Sequence, residues 1–444
     1  MNRHAPGVDT FRDCFDGVVP GMVATIGQDG LPNLAYASQA LFIDDDYLAL
    51  SFQFFNNTRR NILAHPYARL VLVHPYTAAQ YRLKLHYQRT EEEGALFETM
   101  KAKLASIASH TGMSGVFRLK GADIYRILAI EQVPGTTVPP PARRNALAAL
   151  RQVMNMLQHC TDLDQLCQAT LDALARHFDI DHSMILMLDH SARRLYTVAS
   201  RGYGNSGVGS EIPLGAGVVG VAAEQAMPIR IGHFSAEYAY GQAVRDGIDD
   251  PGLLDTEIPL PGLEHPQSQL ALPITVGACT LGVLHVESEQ HLRFSYDDED
   301  ALVALSNQLG LTIRLLQQAG DSEAAPDLPV TAAPVNGHPI ELRHYAENDS
   351  VFLGGHYLIK GVAGSILWAL ARDYVEAGRT EFSNRELRLD PRIKLPDLSD
   401  NLEARLLLLS RRLEERQACL RLEKAGRGRM RLVVHRPLTL LSAH

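Results

Sequence analysis

Cysteine is scarce: five residues (Cys14, Cys160, Cys167, Cys279, Cys419), odd in number and scattered over 444 positions. That excludes a disulfide framework and a tight zinc site, so no metal ligand is nominated and free thiols are expected. Cys160 and Cys167, seven apart on one expected helix, are separated by roughly 10 Å, too far to bridge. Apolar runs are also short. None approaches the ~20 residues of a membrane span, and the first residues, with Arg3, Asp9, Arg12, Asp13 and Asp16, lack the apolar stretch of a secretory signal. A cytoplasmic protein without membrane contact is expected.

With 46% hydrophobic and 21% charged residues, the composition is that of ordinary globular protein. At roughly 150 residues per domain the length predicts about three domains. The net charge is −9, but residues 340–444 hold 18 Lys+Arg against 14 Asp+Glu, a net +4 that leaves −13 for the rest. This segregation points to a polyanion-binding C-terminal end.

Two stretches read as linkers. Residues 134–142 include Pro134, Pro139, Pro140 and Pro141 and favour an extended polyproline course. Residues 319–339, rich in Ala, Pro, Asp and Gly, have little to bury. The expected division is therefore 1–133, a linker at 134–142, 143–318, a linker at 319–339, and 340–444. The fold class is multidomain α+β: an N-terminal antiparallel split β-barrel, a central α/β/α sandwich and a C-terminal winged helix.

In the first domain, short strands at Met22–Ile26, Asn33–Ile43, Tyr47–Phe52 and Arg69–Val73 are joined by tight turns such as Gln28-Asp29-Gly30. More follow at Tyr81–Gln88 and Ala122–Ile130, with a helix near Gly94–Ala108. The strand Tyr47-Leu48-Ala49-Leu50-Ser51-Phe52, then Asn56-Asn57-Thr58-Arg59-Arg60-Asn61 and His65-Pro66-Tyr67-Ala68-Arg69-Leu70, resembles the pyridoxamine 5′-phosphate oxidase-like, FMN-binding split barrels. The resemblance implies a flavin phosphate held by Ser51 and by a turn bearing Thr58, Arg59 and Arg60, whose guanidinium forks suit phosphate oxygens. Gln80 and Arg82 are secondary candidates. Haem is the alternative cofactor, although His65, His74 and His86 read as ordinary strand-end residues. No catalytic constellation of acid, base and nucleophile stands out in the segment.

The second domain opens with a stripe of Leu147, Leu150, Met154 and Leu157 and closes with Leu302, Leu305, Leu309, Ile313 and Leu316. The run Ile212-Pro213-Leu214-Gly215-Ala216-Gly217-Val218-Val219-Gly220, the strand around Pro228-Ile229-Arg230-Ile231 and the closing Leu281-Gly282-Val283-Leu284-His285-Val286-Glu287-Ser288 resemble a GAF domain. The glycines serve the backbone rather than a nucleotide fingerprint. The resemblance implies a small-molecule pocket roofed by residues 233–248, with Phe234, Tyr238, Tyr240 and Gln242 as contacts, and a homodimer through the two striped helices.

In the third domain a helix from Tyr357 to Ala377 stops at Gly378. A capping box at Ser383–Glu386 opens a short helix, and Asp400-Asn401 a longer one to Arg416. A hairpin spans Cys419–Glu423 and Arg429–Val434. This resembles the winged-helix output domain of response regulators. Leu402, Leu406, Leu409 and Leu413 share a core face, whereas Ala404, Leu407, Leu408, Arg411 and Glu415 form the other. The resemblance implies duplex DNA binding by Arg411, Arg412, Arg427, Arg429 and Arg431, whereas the Leu407–Leu408 pair suits either a wider buried stripe or a protein surface. The functional expectation is a sensor and transcriptional regulator. A flavin- or haem-dependent oxidoreductase with regulatory modules, and a scaffold docking a protein through its winged helix, remain alternatives.

Overall fold

A computed structural model describes the chain apart from residues 1–11, 17–18, 20, 38, 53–56, 95, 102–103, 105–118, 143, 233–257, 322–336, 394, 396–400, 427 and 444. The chain is multidomain α+β. Its N-terminal part is a seven-stranded antiparallel half-barrel sheet of β1 (Gly21–Ile26), β2 (Pro32–Ala37), β3 (Ala40–Phe42), β4 (Tyr47–Phe52), β5 (Tyr67–Val73), β6 (Gln80–Glu91) and β7 (Gly121–Val133), in the order β2-β1-β5-β6-β7-β4-β3. Register shifts between Lys84 and Leu85 and between Tyr87 and Arg89 let the two long strands bend around the core, as extra residues in a ladder do. Leu48, Leu70, Leu83 and Leu85 fill the concave side. The expected strand at 33–43 is two strands, and the expected turn at Thr58–Arg60 is part of helix α1 (Asn57–Ala64). That helix is fastened by Ile62 in the core and by Asn61 Nδ2 donating to Thr25 Oγ1 at 3.1 Å.

Residues 134–142 carry neither helix nor strand. Beyond them a six-stranded antiparallel sheet comprises β8 (His182–Asp189), β9 (Arg194–Arg201), β10 (Glu211–Pro213), β11 (Ile229–Ile231), β12 (Ser268–Val276) and β13 (Cys279–Ser288), in the order β10-β9-β8-β13-β12-β11. One face packs on α2 (Ala146–Leu157), α3 (Leu163–Phe178) and α5 (Tyr296–Asp321), and the other on α4 (Gly217–Gln225). Asn145 and Asp162 cap α2 and α3 by accepting from backbone N–H groups, an arrangement that satisfies otherwise orphaned donors. Gly220 permits the close entry of α4, since a methyl there would lie 2.4 Å from Pro213 O. Cys160 falls in the connection between α2 and α3, not on a helix with Cys167. All five cysteines are free, and burial pushes the Cys167 thiol up to about 12, which leaves it protonated and unreactive. Helix α5 runs to Asp321, into the expected linker.

The dimer stripes require correction. Leu150, Leu157, Leu302, Leu305, Leu309 and Ile313 are buried against the sheet of their own chain, because two amphipathic helices lying on one sheet face satisfy their stripes there. The outward apolar residues are Leu147, Leu311 and Leu315.

The C-terminal part begins with strands that the sequence reading omitted: β14 (Ile340–Tyr345), β15 (Ser350–Leu353) and β16 (His356–Ile359). They form a four-stranded sheet with β20 (Leu438–Ala443), which pairs in parallel with β14. Between them come α6 (Gly361–Ala377), β17 (Glu381–Ser383), α7 (Asn384–Leu389), α8 (Leu402–Glu415), β18 (Leu420–Gly426) and β19 (Arg429–Val434), with a sheet order of β17-β19-β18. The expected capping box is present at Ser383 and Glu386. No helix among the described residues is long and apolar enough to cross a membrane.

Candidate functional site

On the α4 side of the central sheet, β13 presents His285 and Glu287 two residues apart and therefore on one face. Across the ladders His285 faces Ala271 and Met184, and Glu287 faces Gln269 and His182. His285 is fully buried, and neither ring nitrogen has a hydrogen-bond partner among the described residues. Burial pushes its imidazole down to about 3, so at neutral pH it is uncharged, with one donor and one acceptor. Beside it Glu287 accepts from Leu263 N–H at 3.0 Å and from Gln269 Nε2 at 2.7 Å. Burial raises its carboxyl above the ordinary range, while these donors pull the other way. Orphaned polar atoms in a packed interior are uncommon and require a reason, and a small ligand with complementary donor and acceptor supplies one. The expected contacts Phe234, Tyr238, Tyr240 and Gln242 lie outside the described residues. Sequence reasoning missed His285 and Glu287, although their signal was visible: two polar residues on one face of an otherwise apolar strand.

The expected phosphate site in the half-barrel has a different constitution. Arg59 is paired with Asp123 and lies 4.7 Å from the Phe52 ring centroid and 5.6 Å from that of Tyr87. Asp123 also accepts from Thr90 Oγ1 at 2.6 Å. Burial raises the Asp123 carboxyl despite Thr90 and Arg59. Thr58 Oγ1 accepts from Asn33 Nδ2 at 2.9 Å, and Arg60 donates to Asn57 Oδ1 at 2.9 Å. Of these residues Ser51 alone, whose buried hydroxyl has no partner among the described residues, matches what an absent anion would leave. Gln80 and Arg82 are elsewhere: Ser51 is level with Ala122 of β7, while Arg82 pairs with Glu131 at 3.4 Å, so most of the length of β7 separates them. The six residues therefore do not form one cradle, and a buried carboxylate already holds the principal cation. A phosphate does not fit them as arranged. His74, one of the histidines weighed for haem, is buried with Nε2 3.6 Å from Asp13 and Nδ1 accepting from Tyr76 N–H at 3.2 Å.

The third set lies where α8 meets the central domain. The helix face expected to be open is closed: Ala404, Leu407 and Leu408 are buried. A methyl built on Gly209, in the segment joining β9 to β10, would stand 3.6 Å from Leu408 Cδ1 and 3.5 Å from Arg412 Cδ. Arg411 donates to Asp164 Oδ1 at 2.6 Å and to Val198 O at 2.8 Å. Arg405 pairs with Asp189 at 2.7 Å, both side chains buried, and stacks 4.2 Å from the Tyr196 ring centroid. Burial raises the Asp189 carboxyl, but Arg405, the Ser191 hydroxyl and Ala192 N–H more than offset this and leave it below its ordinary range. Arg412 is buried and donates to Leu358 O at 3.2 Å and Glu415 at 3.0 Å. It belongs to the interior, not to an outward face, because the 3.6-residue period turns it away from Arg411 and toward β16. Arg431 pairs with Glu381 at 2.5 Å on the neighbouring strand. Arg429 lines a cleft of about 940 Å³ between the two domains, together with Gln317, Leu406, Arg411 and Lys424. Arg427 lies outside the described residues.

Comparison with known proteins bears on two of these regions. The family described as pyridoxamine 5′-phosphate oxidase matches residues 8–127, and the GAF domain family matches residues 162–313. The chain thus has a pyridoxamine 5′-phosphate oxidase-like N-terminal domain and a GAF domain, a combination that fits a sensor role. Among solved structures, the GAF domain of a phosphoenolpyruvate-protein phosphotransferase from Acinetobacter is 23% identical and covers 41% of this chain and 100% of its own, with a TM-score of 0.32. Free methionine-R-sulfoxide reductase from Neisseria meningitidis, in complex with its substrate, is 21% identical over 40% of this chain and 95% of its own, with a TM-score of 0.31. An FMN-binding protein from Syntrophomonas wolfei is 16% identical over 28% of this chain and 86% of its own, with a TM-score of 0.25. No curated protein matches the chain.

Proposed function

We propose that the chain is a ligand-responsive transcriptional regulator: a small molecule held at His285 and Glu287 of the GAF domain governs a C-terminal winged helix that binds duplex DNA. The observation that carries this reading is the order α6-β17-α7-α8-β18-β19 with its β17-β19-β18 sheet. That order supports a winged helix with α8 as the recognition helix and the β18–β19 hairpin as the wing. The domains in this reading are 1–133, 143 to the end of α5 at Asp321, and 340–444. Arg411 would read the groove, and Arg427, Arg429 and Arg431 would approach phosphates. Selection of genomic fragments by the full-length protein, with and without cell extract as a ligand source, tests the reading. Enriched sites are expected, with affinity falling steeply as salt rises, and recovery of none under either condition rejects it.

In this reading the chain is a homodimer through the outward residues of α2 and α5, Leu147, Leu311 and Leu315. The double change Leu311→Glu and Leu315→Glu should yield folded monomers in sedimentation and circular-dichroism measurements, with a melting temperature that no longer depends on protein concentration. Leu305→Ala should instead cost about 2–5 kcal/mol, as emptied core positions do, and leave the oligomeric state unchanged.

A further inference from the structure

Four ion pairs join the GAF domain to the C-terminal domain among the described residues, and all have the same polarity. Lys360 meets Glu211 at 3.3 Å, Arg405 meets Asp189 at 2.7 Å, Arg411 meets Asp164 at 2.6 Å and Lys424 meets Asp162 at 2.5 Å. Every acid belongs to the GAF domain and every base to the C-terminal domain. The bases come from the N-terminal end of α6, from α8 and from β18. In the winged-helix reading these elements include the recognition helix and the wing, the parts that would approach a polyanion. Between the charges, Leu408 is buried against the segment that joins β9 to β10.

We infer that the GAF domain acts as an intramolecular stand-in for DNA phosphate, with Asp162, Asp164, Asp189 and Glu211 holding the bases of the C-terminal domain so that duplex DNA must displace the sensor to bind. The inference rests on the winged-helix reading and adds its regulation. Three features support competition rather than a permanent fusion. The Asp164 side chain is about half exposed and that of Lys424 more so, so these two pairs are exchangeable. The 940 Å³ cleft beside them shows that the two domains meet over only part of their facing surfaces. Moreover, Arg411 cannot both donate to Val198 O and reach a base edge. A duplex therefore selects a released population, and its apparent affinity is reduced by the fraction released. A ligand that alters the GAF sheet shifts that fraction through β8 and β9, because Asp189 ends β8 and Val198 lies within β9.

The test uses the full chain and a short mixed-sequence DNA duplex. Asp164→Asn removes a half-exposed charge and should keep the fold. The triple change Asp162→Asn, Asp164→Asn and Asp189→Asn removes three anions while retaining side-chain acceptors, and Asn at 162 still caps α3. Hydrogen exchange across residues 402–415 reports release independently of DNA. The single variant should bind the duplex several-fold more tightly than the unaltered chain and the triple variant roughly 10- to 100-fold more tightly, with α8 amides exchanging faster in the same order. Three outcomes overturn the inference. If α8 is released and the duplex is bound no better than by the unaltered chain, DNA binding stands and competition is wrong. When α8 is released and neither protein binds the duplex, the winged-helix reading fails as well. If the triple variant stays folded with unchanged exchange and unchanged DNA affinity, these acids do not hold the contact.

Discussion

Replacing Arg59 with alanine should destabilise the N-terminal domain by about 3–5 kcal/mol, the usual consequence of leaving one member of a buried pair unmatched. Both side chains of the Arg59–Asp123 pair are largely buried, and the guanidinium also covers Phe52 and Tyr87, so packing is lost along with charge. The carboxyl of Asp123, already raised by burial, would rise further without its cation. A folded-state pKa above the unfolded value means that the folded state gains stability as pH falls through it, so the variant's deficit should shrink in acid. Arg59→Met combined with Asp123→Leu should cost less than Arg59→Ala alone, since no charge is stranded. Urea titrations of the three proteins at two pH values measure all of this, and a deficit under 1 kcal/mol for Arg59→Ala would contradict the assignment of the pair as a buried structural contact. The result also separates two roles for Arg59. A phosphate ligand would affect flavin retention at little cost in stability, whereas a core cation affects stability whether or not flavin is added.

Acid should destabilise the GAF domain through His285. Its imidazole titrates near 6.5 when unfolded and at about 3 when folded, so between those values the unfolded chain binds the extra proton and stability is lost as pH falls. The slope from this group is about 1.4 kcal/mol per pH unit, or about 2 kcal/mol between pH 6.5 and 5 and about 5 kcal/mol over the full interval. Glu287 has the opposite sign, because its raised carboxyl gains stability as pH falls. His285→Leu serves as the reference, because Glu287 is present in both proteins and its contribution largely cancels. The difference between the unaltered chain and His285→Leu should therefore widen in acid with the slope given above. Equal pH profiles would show that His285 is solvated or hydrogen-bonded, and with that its assignment as a ligand contact would go. A bound ligand that pairs with the imidazole should flatten the profile, which gives a screen for ligand class before any ligand is identified.

Where short-range patterns decide the structure, the sequence was legible. Strand β4 was read to its ends because an Asp-rich turn precedes it and its residues favour a pleated, half-buried position. The capping box at Ser383 and the striped helices α2 and α5 were legible for the same reason. Three things were not, and each depends on a distant partner. Helix α1 looks like a polar turn because the partners that hold it, the core around Ile62, Thr25 for Asn61, Asn33 for Thr58 and Asp123 for Arg59, lie on other elements. Strands β14 to β16 are short, and one of their ladders is closed by β20 from the far side of the domain. The second face of α8 reads as exposed from its own residues, and only the neighbouring GAF strands explain why Leu407 and Leu408 are there. His285 and Glu287 escaped notice because two polar residues barely alter the average of an apolar strand, although they stand on one face of it.

The parallel pairing of β14 with β20 also bears on how the C-terminal domain is made. Strand β14 can find its hairpin partner β15 at once, but its other edge stays bare until α6, α7, α8 and the β18–β19 hairpin have all been synthesised. A pairing with so long an intervening loop forms late and slowly, so the helices must assemble beside an incomplete sheet. During that interval the open edge of β14 can recruit a strand from another nascent copy. Ribosome-bound chains that lack Leu438–Ala443 are then the species most exposed to exchange of this strand between neighbours, and the pace of translation through the hairpin sets how long the exposure lasts.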